Sequence, residues 1–434
     1  MDVIYEPARE TPILRQVEIA VIGGGPAGLG AAIAAARMGR EVVLVERYGH
    51  LGGLATGGLV LLWDDMDDGH GPTVGGIAAE MLARLEAEGG AVLPPAADLH
   101  RADEAAWWAW APWGFGDWHV GGPPPWPIMH AASVDAEALK RLAARMVQEA
   151  GAELWLHRWA VGTLTDGGCV TGVLLESKGG RGALCAQVTV DTTGDGDVFA
   201  AAGAEYTTGQ MPLTLAHRLG GVDVERALAL EREDPEHYRA LNRRAMDLLG
   251  ATYERWWLRT PQPGVVWCNC PTFPPADGLD PAVLTQVEVE GRERIARALE
   301  FLRAEMSGFE AAYLLETAPQ VGVRQTRLLR GEAVVTREDL DAGRHFADSI
   351  GRSRTLHIPY RALVPRAVDG LLVAGRCYSA TPQAQALTRE IAPCLVMGQA
   401  AGVAAALAVE TRVAPRAVDV ARLQDTLRSQ GAIL

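Results

Sequence analysis

At 434 residues the chain exceeds what a single hydrophobic core usually serves, so two units interleaved in sequence are expected. Its net charge of -14, with lysines and arginines scattered, excludes the basic stripes that bind nucleic acid or anionic membranes. The six cysteines contain no CxxC, which excludes a disulfide scaffold, an iron–sulfur centre and a zinc-type site; Cys268 and Cys270 form a lone CxC read as free thiols in a reducing cytoplasm.

The opening MDVIYEPARETP carries acids and a proline but no apolar core, so no leader peptide is expected there. Residues 17–22, VEIAVI, read as a buried β-branched strand that runs straight into Gly23-Gly24-Gly25-Pro26-Ala27-Gly28. An alanine-rich helix follows, closed by Gly39, and then a second strand, 41–45, ending at Glu46. Strand, GxGxxG, helix, strand and terminal acid in this order make a dinucleotide site. Gly23 permits the tight turn, Gly25 lets a pyrophosphate approach the backbone N–H groups, and Gly28 allows close helix–sheet packing. Glu46 is placed to accept hydrogen bonds from a ribose diol.

Beyond Glu46 the chain enters GHLGGLATGG, a glycine-rich passage suited to a cofactor that extends past its pyrophosphate. Residues 134–158 read as a capped amphipathic helix, a turn and a strand, and Ala160 or Val161 at the end of that strand could contact adenine. A second cofactor-type passage is VDTTGDGDVFAAAGA, 190–204, where an apolar strand ends in Asp191. A third is GLLVAGRCYSA with ALTREIAPCLVMGQAAGVAAALAVE, a strand ending in Gly375-Arg376 and a helix starting near Pro393. The uncharged run 391–409 is read as a buried helix and not a membrane span. A helix N-terminus offers donors and a positive dipole to the pyrimidine edge of a flavin. Three separated passages closing on one extended ligand favour FAD over NAD, and no second strand–GxGxxG–helix unit occurs between 100 and 370.

VIGGGPAGLGAAIAAA, LGGxAT, DTTGDGD, VGVRQTR, IPYRALVP, LLVAGR and MGQAAGVAAA, in this order, resemble the FAD-dependent oxidoreductase family of bacterial flavoproteins, itself distantly similar to the fumarate reductase and glutathione reductase folds. The resemblance spans about residues 15 to 410. It implies an α/β chain: a three-layer ββα Rossmann-like FAD-binding domain, placed at 14–84, 134–204 and 355–434, with an inserted β-rich (α+β) substrate domain at 85–133 and 205–354. Gly23, Gly25, Gly28 and Glu46 would hold the ADP half. Gly52, Gly53, Ala55 and Thr56 would line the flavin, and Asp195, Gly375 and Arg376 would close the site. Pro26, Ala27, Arg47, Leu54, Val161, Thr193, Gly194 and Cys394 complete the cofactor set. Many related flavoproteins carry Gly-Asp where this chain has Gly375-Arg376, which leaves the ribityl partner open. His50 lies one residue out of register with the histidine bonded to flavin in fumarate-reductase-like proteins, so a covalent link and a non-covalent neighbour both stand.

On the reacting side, Arg324 and Arg327 in VGVRQTR are candidates for an anionic substrate or for ordinary salt bridges. Arg389 precedes the third-passage helix and could counter flavin or substrate charge. His130, His217, His357 and Tyr360 are candidate proton-transfer groups. WWAWAPWGFGDWHVGGPPPW, 107–126, holds six of the twelve tryptophans and suits a lid over a pocket or an oligomer interface. The expected activity is hydride transfer between a small organic substrate and flavin N5, with an unidentified electron acceptor. A flavin monooxygenase and a non-catalytic electron-transfer subunit are the alternatives.

Overall fold

β1 (Ile13–Ile22), α1 (Pro26–Arg37) and β2 (Val42–Val45) form an opening βαβ unit in which β1 and β2 are parallel and Ile22 faces Val45. The computed structural model describes residues 3–5 and 7–434; Met1, Asp2 and Glu6, part of the stretch in which no leader is expected, lie outside the described residues. A short antiparallel sheet follows, made of β3 (Leu62–Trp63), β4 (Ala91–Val92) and β5 (Ala132–Val134), with α2 (Gly76–Ala87) and α3 (Glu104–Trp110) between its strands. α4 (Ala136–Glu149) then leads to β6 (Glu153–Trp155), which runs parallel to β2. β7 (Trp159–Asp166) and β8 (Cys169–Ser177) turn antiparallel into β9 (Gly180–Asp191), and β9 pairs in parallel with β1. α5 (Asp197–Ala201) follows.

Period-two alternation in the central strands builds the layers. Ile19 and Val21 of β1 enter a core shared with α1, α2 and α4, whereas Ala20 and Ile22 enter a second core with Val173 and Leu184 of the β7–β9 meander. α4 presents Leu139, Leu142 and Met146 to the first core and starts at Asp135, whose carboxylate accepts the Ala138 N–H. This is the expected ββα arrangement.

The middle of the chain contains β10 (Tyr206–Thr208), β11 (Pro212–Thr214), β12 (His217–Gly220), α6 (Val224–Glu233), α7 (Pro235–Leu249), β13 (Trp257–Arg259), β14 (Val266–Cys268), β15 (Thr272–Pro275), α8 (Pro281–Glu305), β16 (Tyr313–Thr317) and β17 (Arg327–Leu329). Its largest sheet is antiparallel, in the order β13-β14-β12-β16, and Leu215, Leu219, Trp256, Trp257, Leu241 and Ile295 form a core of their own. Three helices make this unit α+β. α8 starts at Pro281, which suits a first helical position, after Asp280, whose carboxylate accepts the Ala282 N–H.

The chain then returns through α9 (Arg337–Asp341), β18 (Ser349–Ser353), β19 (Leu356–Pro359), β20 (Leu371–Val373), α10 (Pro382–Thr388), α11 (Ile391–Thr411) and α12 (Val420–Ser429). β20 joins the large sheet parallel to β9. Val335 and Ile350 already pack in the core of α1 and α11, upstream of the expected return at 355. α11 is apolar all round because it is enclosed all round. Among the described residues it is the one helix long and apolar enough to cross a membrane, and it lies wholly inside the fold. It crosses α1 with no room for side chains: a Cβ on Gly398 would stand 2.0 Å from the Ala27 carbonyl oxygen. The tryptophan-rich segment packs Phe115 against Trp110 and Trp113 over Ile128 and Met129, while Trp118 is about half exposed.

Candidate flavin site

β1, β2, β6, β9 and β20 are parallel, so their C-terminal ends lie along one edge of the sheet. Ligands of open α/β sheets bind beyond that edge. Each sequence-predicted passage begins there: Gly23 after β1, Glu46 after β2, Thr192 after β9 and Gly375 soon after β20.

Gly25 is the N-cap of α1, with no side chain capping it and no acid in the first turn. The first-turn N–H groups are therefore free for a ligand at the positive helix end. A Cβ on Gly28 would sit 1.8 Å from the Gly23 carbonyl oxygen, so only glycine lets the loop fold back on the helix. Gly53 meets Gly25 backbone to backbone, a Cβ on Gly53 falling 2.9 Å from the Gly25 Cα, and Gly25 itself has nothing nearer than 3.8 Å. That bare backbone fits a diphosphate.

Glu46 is buried; its Oε2 accepts the Gly24 N–H at 2.7 Å and its Oε1 the Tyr48 N–H at 2.8 Å. Burial raises its carboxyl pKa above the ordinary value against the pull of those N–H groups. Its remaining lone pairs border a cleft lined by Gly23, Arg47, Trp159, Ala160 and Thr193. The Arg47 guanidinium stands 4.9 Å from the Tyr48 ring and 5.4 Å from the Trp159 ring. Ala160 lines the cleft and the proposed Val161 does not: β6 stops at Trp155, Ala160 opens into β7, and alternation turns Val161 outward, 46% exposed.

In the second passage, buried Asp191 accepts hydrogen bonds from the N–H and hydroxyl of Thr193 and from the N–H groups of Val198 and Phe199, holding the TGDGD turn. Asp195 Oδ1 accepts from Arg376 Nη1 at 2.8 Å and from Thr326 Oγ1 at 2.9 Å. Burial pushes the Asp195 carboxyl up, but the charge and hydrogen bond of Arg376 more than offset it and leave it below its ordinary range. The buried acid beside Gly375–Arg376 thus comes from another strand end. Gln385, which sequence reasoning missed, ties this edge together by donating to the carbonyls of Arg376 (2.8 Å) and Arg324 (3.1 Å). α11 starts at Ile391 with Glu390 as N-cap, and the buried Cys394 thiol donates to the Arg389 carbonyl at 3.2 Å.

The proton-transfer candidates separate. Tyr360 donates its hydroxyl to the Pro415 carbonyl at 2.7 Å, and His217 Nδ1 is 2.8 Å from the Cys270 carbonyl with burial lowering its pKa to about 4. Both groups are thus engaged with backbone carbonyls. His357 belongs to the β18–β19 hairpin, 3.3 Å from Ser349 Oγ; burial and then the charges of Arg352 and His345 lower it to about 4. His130 keeps a buried Nδ1 without a partner. Arg327 binds the Asp195 carbonyl and Asp197, the ordinary salt bridge of the two readings. Arg324 Nη1 donates to the Pro212 carbonyl (2.7 Å) and Thr214 Oγ1 (2.6 Å), and burial, then the charge of Arg389, lowers its pKa. His50 stacks on Tyr48, its Cε1 borders Gly57, and its Nδ1 is buried without a partner. Asp64, directly after β3, also keeps a buried Oδ1 without a partner.

The family described as FAD dependent oxidoreductase matches residues 18–356 and 352–427. An NADH oxidase of Thermoanaerobacter brockii is 46% identical over 50 residues, which is 12% of this chain and 7% of that protein. Among solved structures, p-nitrophenol 4-monooxygenase from Pseudomonas putida aligns over 96% of this chain and 89% of its own at 13% identity and a TM-score of 0.49. A geranylgeranyl bacteriochlorophyll reductase-like protein from Thermoplasma acidophilum aligns over 96% and 84% at 12% identity and a TM-score of 0.48. The chain belongs to the FAD-dependent oxidoreductase family, and its cofactor is FAD.

Proposed function

We propose that the protein moves a hydride between a small organic substrate and FAD, the substrate meeting the cofactor at the N-terminal end of α11. The observation that carries this reading is the convergence of Gly25, Gly53, Glu46, the Asp195–Arg376 pair and the start of α11 around one sheet edge. When bound, FAD supplies a two-electron acceptor or donor at N5. The chain's own groups bind and orient. The α1 backbone receives the diphosphate, Glu46 the ribose, and the positive end of α11 faces the pyrimidine edge. Arg389 and Arg324 border the substrate side. The tryptophan-rich segment serves as a wall that excludes water, held by Arg354 to Asp117 at 3.0 Å. Six free cysteines fit a reducing cytoplasm.

An anaerobic screen of small organic substrates against the FAD-loaded protein tests this reading. A substrate that bleaches the visible flavin band without a nicotinamide supports it. Bleaching by NAD(P)H alone, accelerated by a substrate and followed by oxygen uptake, would replace it with a monooxygenase. A protein that takes up no FAD would end it.

A further inference from the structure

The cleft beside Glu46 has a second charged wall. Its lining joins Gly23 and Glu46 to Arg158 and Trp159, from the link between β6 and β7, and to Thr193 and Asp197, from the second passage. Both acids there are engaged: the two Glu46 oxygens accept backbone N–H groups, and Asp197 Oδ1 accepts from Arg327 Nη1 at 3.2 Å. Among the described residues that line the cleft, Arg158 alone has a buried side-chain polar atom without a hydrogen-bond partner, its Nη1.

Several contacts fix where that nitrogen stands. The Arg158 N–H donates to the Glu46 carbonyl at 3.0 Å, and the Glu46 N–H donates to the Trp155 carbonyl at 2.8 Å, so the β6–β7 link is tied to the acid that receives the ribose. The Arg158 Cζ lies 3.7 Å from the centroid of the Trp155 ring, in stacking range of its face. Trp155 Nε1 in turn donates to Glu153 Oε1 at 2.7 Å, which holds the ring. A guanidinium placed this way has little rotamer freedom left to lose when it meets a ligand. A buried donor is costly until an acceptor meets it, and with no acceptor from the protein this one points to the bound molecule.

The connectivity of FAD says which part of it. With the diphosphate at the start of α1 and the ribose at Glu46, the adenine leaves the ribose on the side away from the diphosphate, toward the β6–β7 link. The unprotonated ring nitrogens of adenine are acceptors, and a guanidinium has only donors. We propose that Arg158 reads the adenine of FAD, its Nη1 donating to one of the ring nitrogens while Trp155 holds the guanidinium plane. The inference rests on the ribose lying at Glu46.

The test titrates the FAD-depleted full-length chain with FAD and with three analogues whose adenine carries C–H in place of N1, N3 or N7, following flavin fluorescence. In the wild type, one analogue binds about tenfold or more weakly than FAD. Arg158→Met binds FAD more weakly by a similar factor and no longer separates FAD from that analogue, since either change alone removes the same hydrogen bond. Arg158→Gln, neutral and too short to reach, gives the same result and serves if the methionine variant does not fold. Three analogues that bind the wild type as FAD does, or a discrimination that survives in the variants, overturn the assignment; the second outcome is also what a general attraction to the diphosphate would give. Glu46→Gln, measured in parallel, separates the two readings. If it weakens FAD binding while the analogues all bind alike, the ribose placement stands and the role of Arg158 falls. If it leaves FAD binding unchanged while Arg158 still discriminates, the ribose placement falls and Arg158 keeps its role.

Discussion

Replacing Arg376 with methionine isolates the charge balance at the cofactor edge. Asp195 is 13% and Arg376 15% exposed at the side chain, so neither can turn to bulk water. In Arg376→Met, Asp195 retains the Thr326 hydroxyl at 2.9 Å but loses its cation. Breaking a buried ion pair from one side costs about 3–5 kcal/mol, because the surviving charge stays desolvated. Against a typical total of about 5–15 kcal/mol, that is a large fraction of the stability. Asp195→Asn/Arg376→Met removes both charges, keeps an acceptor for Thr326, and is expected to fall within about 1–2 kcal/mol of wild type. The assay is urea unfolding of the FAD-free chain, comparing midpoints at constant slope and closing the cycle with Asp195→Asn. Repeating it with excess FAD reports the binding contribution separately. The pH dependence has a definite sign. The Asp195 carboxyl is depressed in the folded state, so its stabilisation is present above the unfolded pKa, about 4, and is lost as pH falls through the folded value. A double variant as unstable as the sum of its singles would refute the reasoning.

Three other outcomes follow from the same geometry. Gly398→Ala places a methyl group 2.0 Å from the Ala27 carbonyl; with backbone on both sides, it should lower stability by about 1–3 kcal/mol in urea unfolding and weaken FAD retention, and wild-type behaviour would contradict the packing. Glu46→Gln turns one accepting oxygen into a donor that faces either the Gly24 or the Tyr48 N–H; FAD affinity, read from quenching of flavin fluorescence on titration, should drop about tenfold or more, and an unchanged affinity would remove Glu46 from the ribose site. Asp191 is raised by burial to about 6, so its contribution to stability is present below an unfolded pKa of about 4 and is lost as pH rises through about 6, up to about 3 kcal/mol; the unfolding midpoint of Asp191→Asn should lack that slope relative to wild type.

The legible part of the site is the part whose chemistry is contiguous. Gly23 to Gly28 and Glu46 belong to one βαβ unit, and their spacing is a consequence of strand and helix length, so residue type and order suffice to find them. Side chains whose role depends on a distant partner are a different matter. Arg376 looked like the loss of an acid, and it is instead the support of one, because the parallel pairing of β9 with β20 brings Asp195 across 181 positions to meet it. Tyr360 and His217 have the right chemistry for proton transfer, yet their polar atoms are spent on the carbonyls of Pro415 and Cys270, partners no local pattern announces. Asp64 fails in the opposite direction. An acid in the run DDMDD reads as solvated, and only the fold shows that the Asp64 Oδ1 is buried without a hydrogen-bond partner. Buried charge is therefore decided by pairing across strand ends, which residue type and order along the chain do not announce.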